Sequence, residues 1–106
     1  MRTFAEFWPF YLREHSRPKT RALHFAGTTL SAGFLVSALA MRQPGLILGA
    51  LLCGYGFAWT GHFFVEHNRP ATFRYPLWSL LADWKMWAYA FLGRLDGELR
   101  RAGVNR

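Results

Sequence analysis

Between Ala22 and Val65 the chain carries one formally charged residue, Arg42, and it sits in the short segment MRQPG. Two uncharged runs remain, residues 22–41 and 43–65. A helix of about twenty residues rises about 30 Å, the thickness of the hydrocarbon core of a bilayer. Pro44 and Gly45 interrupt any helix between the runs, and so short a segment serves only as a turn. The pattern predicts a transmembrane helical hairpin over residues 21–41 and 45–67. A signal peptide is rejected, because some twenty residues with their own aromatic pattern precede the first run and a second run follows at once.

At 106 residues the chain is predicted to be a single membrane domain, 1–106. Its fold class is all-α: a two-helix transmembrane hairpin flanked by N- and C-terminal amphipathic interfacial helices. Thr3 and Glu6 have capping-box spacing, and Phe4, Phe7, Trp8, Tyr11 and His15 recur at helical intervals, which predicts an interfacial helix over 4–15. Pro9 is expected to kink that helix or shift its start. Leu77, Leu80, Leu81, Trp84, Ala88, Phe91, Leu92 and Leu95 trace one face of a second interfacial helix over 76–95, which also carries Asp83 and Lys85. Residues 96–106 read as a charged tail that frays.

The net charge of +7 coexists with 52% hydrophobic residues, and the two are segregated. Five lysines and arginines precede Ala22 and seven follow Val65. This predicts an integral membrane protein with both termini cytoplasmic. The basic residues flank the spans and match no nucleic-acid motif, so membrane lipids rather than nucleic acid are the expected partners, and a homo-oligomer is compatible with the pattern. The single cysteine, Cys53, excludes an intrachain disulfide and reads as a packing residue.

Within the second run Gly54, Ala58, His62 and Glu66 lie four apart and share one helical stripe. An imidazole and a carboxylate at the end of an apolar helix are costly unless something binds them. In the first run His24 shares a face with Gly27, Thr28 and Ser31, small residues that allow close helix contact. His24 precedes Arg42 by eighteen residues and His62 follows Gly45 by seventeen. Both therefore stand about 26 Å from the turn, level with one another.

The candidate constellation is His15, His24, His62 and Glu66, which suits iron(II), manganese or zinc, with open positions on iron suited to dioxygen chemistry. Thr28, His67, Asn68, Arg69 and Asp83 are candidates for supporting or substrate contacts. Asp83 reads either as a solvated carboxylate or as a group that orients an imidazole. No Ser-His-Asp set, phosphate loop or CxxC pair competes. A bis-histidine haem carrier using His24 and His62, and a non-catalytic hairpin that organises membrane, are the alternatives.

The elements FYLREH, RALHFAGT and GYGFAWTGHFFVEHNRPATFRYPLWSLLADWKMW resemble the family of small membrane proteins typified by a fungal 2-hydroxy fatty acid dioxygenase of phytosphingosine breakdown, the Mpo-like family. The resemblance runs from Phe4 to Arg94, and GHFFVEHNRPAT is its most specific part. It implies an iron(II)- and O2-dependent enzyme that cleaves a 2-hydroxy fatty acid between C1 and C2, leaving an acid one carbon shorter (fatty acid alpha-oxidation). The family's histidine elements match at His15, His24 and His62, with the acidic position at Glu66. A 2-hydroxy acid bound there would place its head at the headgroup plane, with Arg69, Arg74 or Lys19 near its carboxylate.

Overall fold

The computed structural model describes residues 1–104, so Asn105 and Arg106 of the expected tail lie outside the described residues. Among the described residues every regular element is helical. Helix α2 (Pro18–Ala40) starts earlier than expected, with Pro18 in its first turn, where a missing N–H leaves no bond unmade. It closes at Arg42, whose left-handed φ of 53° lets the N–H groups of Gln43 and Arg42 bond the carbonyls of Ala38 and Leu39. That double closure is the Schellman motif, here built without the usual glycine.

Helix α3 (Leu46–Thr60) returns beside α2 and continues into a wider π-type segment, Gly61–Glu66. Both arms are long and apolar enough to cross a membrane. Their contact depends on small residues. A Cβ on Gly27 would lie 2.6 Å from Phe57 Cβ and 2.8 Å from the Cys53 carbonyl oxygen, while Ser31 Oγ donates to the Ala50 carbonyl at 2.6 Å. The outer faces stay bare, with Leu39 83% and Leu52 66% exposed. An apolar surface spread along two helices is what a soluble monomer avoids and a bilayer accepts.

The remaining helices, α1 (Phe4–Arg13), α4 (Pro76–Phe91) and α5 (Leu95–Arg101), pack on one another and on the open end of the hairpin. Thr3 caps α1 as its spacing predicts, accepting the Glu6 N–H at 3.2 Å. The helix starts at Phe4 and runs through Pro9, which forfeits one backbone bond without ending it. The aromatic face of α1 departs from its expected place at a membrane surface, because it turns inward. Phe7, Tyr11 and Leu12 are buried with Ala82, Met86 and Leu99. Burying each large side chain stabilises by about 1.5–3 kcal/mol, and α4 and α5 supply the surface that does it. On α4 the leucine face points the other way. Leu77, Leu81, Phe91 and Leu92 are exposed, and Ser79, Ala82 and Met86 face the protein.

The expected fraying of the tail is also corrected. Residues after Phe91 turn at Gly93, where φ is +74°, and form α5, which buries Leu99. Ala102 and Val104 follow it into the same core. Trp8 Nε1 donates to Glu98 Oε1 at 2.8 Å, and Arg101 pairs with the same carboxylate. The Lys85 ammonium stands 4.4 Å from the centre of the Trp8 ring and 5.4 Å from Phe4 and Tyr89, joining α4 to α1 by cation–π contact.

Candidate metal centre

Three imidazoles meet where the cap joins the hairpin. His15 comes from the linker just after α1, His24 from α2 and His62 from the π-type segment. All three are buried. The rings form a triangle: the His15 centre is 4.9 Å from that of His24 and 4.4 Å from that of His62, and those two are 6.4 Å apart. One nitrogen from each ring can be chosen so that all lie within 4.8 Å of one another.

The outer partner of each ring settles where its proton sits. His15 Nδ1 is 2.7 Å from the Tyr11 carbonyl oxygen, which only accepts, so Nδ1 carries the hydrogen and Nε2 keeps its lone pair. Asn68 Nδ2 donates to the Glu14 carbonyl at 3.0 Å, which turns Asn68 Oδ1 toward His62 Nδ1 at 2.8 Å. His62 is therefore protonated on Nδ1 as well, and its Nε2 is free to bind. His24 Nε2 is in hydrogen-bond contact with the Tyr11 hydroxyl at 3.5 Å and lies 3.2 Å from Asp83 Oδ1, leaving Nδ1 as the available atom. Each histidine is thus anchored through one nitrogen to an oxygen, the arrangement that orients metal-ligating imidazoles.

Burial, and then the neighbouring His24 and His62, hold His15 well below its ordinary pKa, so it is neutral and its lone pair is exposed to the cluster. Tyr11 completes the support. Its hydroxyl donates to Asp83 Oδ1 at 2.6 Å, and burial followed by the Asp83 charge pushes its own ionisation well up, keeping it a donor. Tyr11 was not singled out from the sequence. Its spacing of four from His15 is the only available signal, and it also fits plain packing.

Glu66 does not join the cluster as expected. It accepts hydrogen bonds from Ser16 Oγ at 2.8 Å and from the Arg17 N–H, fixing the linker that carries His15. Arg21 holds the same linker, donating to the His15 and Ser16 carbonyls at 2.7 and 2.9 Å. The π-type segment ends at His67, whose left-handed φ of 61° sends Asn68 back onto His62. His67 itself is exposed and lies outside the group.

Two cavities adjoin His24 and Thr28. One, of about 320 Å³, lies between α2 and α4 and includes Arg21. The other, of about 240 Å³, lies between α2, α3 and α4 and includes Asp83. The cations expected near a substrate carboxylate are elsewhere: Lys19 is exposed, and Arg69 and Arg74 line a separate cavity with Glu14 and Tyr75. Arg21 is the basic residue that the structure brings beside His24. The haem alternative meets an obstacle in His15, whose ring stands beside the 6.4 Å line from His24 to His62, 4.9 and 4.4 Å from their centres, where a flat macrocycle would extend.

The donor set fits a first-row divalent ion. His15 Nε2 is buried with no hydrogen-bond partner, a costly state for a polar atom unless a ligand meets it. Comparison with curated proteins and with solved structures returns no match. A family model described as 2-hydroxy-palmitic acid dioxygenase Mpo1-like matches residues 1–95, which span α1 to α4 and all three histidines. The chain therefore belongs to the Mpo1-like family.

Proposed function

We propose that this protein is an iron(II)-dependent dioxygenase that shortens 2-hydroxy fatty acids by one carbon at a membrane surface. The observation that carries the reading is the trio of buried imidazoles, each tied outward through one nitrogen and free at the other, in a chain of this family. His15, His24 and His62 would hold the metal. Iron(II) so held would supply the electrons and open positions that dioxygen activation requires.

Three imidazole ligands would leave the full charge of the ion to attract an anionic 2-hydroxy acid. Arg21 adds positive potential in the adjoining cavity. Asp83 and Tyr11 fix the His24 ring, Asn68 fixes His62, and Glu66 and Arg21 fix the backbone around His15. The reaction balances with one dioxygen: the hydroxy acid gives up four electrons and yields the shorter acid, carbon dioxide and water. The two apolar arms would span the bilayer with both termini cytoplasmic, and the exposed leucine face of α4 would rest in the interface beside them.

The test is metal analysis of protein purified without oxygen, then mass spectrometry of 2-hydroxyhexadecanoic acid incubated with iron(II) and oxygen. A product one carbon shorter that disappears in His24→Ala and in His62→Ala supports the reading. Product formation that survives both substitutions refutes it.

A further inference from the structure

We infer that the cleft between α2, α3 and α4 receives the alkyl chain of the substrate, and that glycine at position 54 keeps this path open. The inference rests on the proposed function and goes on to say where the tail of the acid lies. The cleft starts at His24 and Asp83 and continues to Leu35 and Ile47, near the turn of the hairpin. From His24 to Leu35 along α2 the path is about 16 Å. That is about half of the 30 Å hydrocarbon core, the depth available to an acyl chain in one leaflet.

Its chemistry suits an alkyl chain: Leu35, Ile47, Leu51 and Leu80 line it, its polar groups His24 and Asp83 stand at one end, and among the described residues no lysine or arginine lines it. Ser31, in its wall, directs its hydroxyl into the bond with the Ala50 carbonyl and so presents little free polarity. The cleft also has an open flank, since Leu35 is 39% and Leu51 52% exposed. A lipid tail enters from the side without crossing water. Lipid and cleft are equally apolar, so shape rather than hydrophobicity selects the chain.

Gly54 lies beside this path, level with Ser31. A Cβ added there meets Ser31 Oγ at 3.3 Å and Ser31 Cβ at 3.9 Å, with no closer heavy atom. That contact is tight, so a larger side chain at 54 would displace Ser31 or turn into the cleft that both residues line. Filling it blocks long tails and spares acids too short to reach that depth.

The experiment uses full-length protein in nanodiscs. A 2-hydroxyhexadecanoic acid carrying a mid-chain diazirine is photo-crosslinked, and the labelled residues are mapped. Labelling concentrated on Ser31, Leu35, Leu51 and Tyr55 is expected. Labelling at Phe25 and Ala90 in the other cavity, or spread over outward-facing Leu39, Leu48 and Leu52, overturns the inference. In parallel, Gly54→Leu should lower crosslinking and turnover of 2-hydroxyhexadecanoic acid by about tenfold or more while changing 2-hydroxyhexanoic acid less than about twofold, at unchanged iron content. Leu48→Trp on the outer face should change neither. An equal effect of Gly54→Leu on both acids counts against the inference. If that variant fails to fold, the wild-type labelling pattern decides alone. If the wild-type protein degrades neither acid, the proposed function fails, and the labelling pattern still decides the cleft.

Discussion

Replacing Asn68 with alanine should weaken metal binding while leaving the hairpin folded. The side chain makes two bonds, accepting from His62 Nδ1 at 2.8 Å and donating to the Glu14 carbonyl at 3.0 Å. Without the first, the imidazole is free to turn and to carry its proton on Nε2, the atom needed by the ion. Groups that orient a ligating histidine are worth about 10–100-fold in metal affinity. That corresponds to about 1.4–2.7 kcal/mol. Loss of the second bond removes about 1 kcal/mol of stability from the metal-free protein. Chelator competition with cobalt(II) or iron(II) under anaerobic conditions reads the first quantity, and denaturation of the metal-free protein in detergent reads the second. Asn68→Asp separates the two, since it keeps an acceptor toward His62 but sets an oxygen against the Glu14 carbonyl. It should retain metal affinity better than alanine and lose more stability. Wild-type affinity in Asn68→Ala, with binding abolished in His62→Ala, would refute the assignment of the His62 proton.

Glu66→Gln should retain a full equivalent of metal, because Glu66 secures the linker and lies outside the ligand set; loss of metal as complete as in His62→Ala, measured by elemental analysis, would restore it as a ligand. Gly27→Val should destabilise the hairpin by about 1–3 kcal/mol, whereas Gly33→Val, with nothing within 4 Å of an added Cβ, should be close to neutral in the same denaturation assay. The Glu98 carboxyl is held below its ordinary value of 4.5 by Arg101 and then by the Trp8 indole. Its contribution is therefore present above that pH and fades as acid carries the solution through the lower folded-state value. Hydrogen exchange at the Leu99 amide should accelerate there, and less so in Glu98→Gln.

The hairpin was legible because charge is so expensive in hydrocarbon that its absence over two runs leaves few alternatives. Counting from Arg42 and Gly45 at the turn places His24 and His62 at one level, and the structure brings both to His15. Which way an amphipathic face turns was not legible. Lipid and a protein core both accept Phe7 and Tyr11, and only the packing of α4 and α5 decides between them. The short stripe of Leu95, Leu99 and Ala102 was hidden by the charges around it. Glu66 shares a helical stripe with His62, but the N–H of Arg17 and the hydroxyl of Ser16 hold it elsewhere, and these are distant in sequence. The positions of Asn68 and Asp83 were among the candidates. Their separate roles, one fixing His62 and the other His24, depend on the π-type segment, the left-handed His67 and the docking of α4.

The contact between α1 and the C-terminal helices also sets an order of events during synthesis. The segment bearing Phe7 and Tyr11 leaves the ribosome before the hairpin, yet the surfaces that cover it, on α4 and α5, leave after it. A nascent chain that has finished its hairpin owns His24, His62 and the Glu66 and Arg21 groups that grip the His15 linker, but the core that covers Phe7 and Tyr11 has yet to be made. The proposed ion site is thereby left without the Asp83 and Tyr11 contacts to His24 until α4 has emerged.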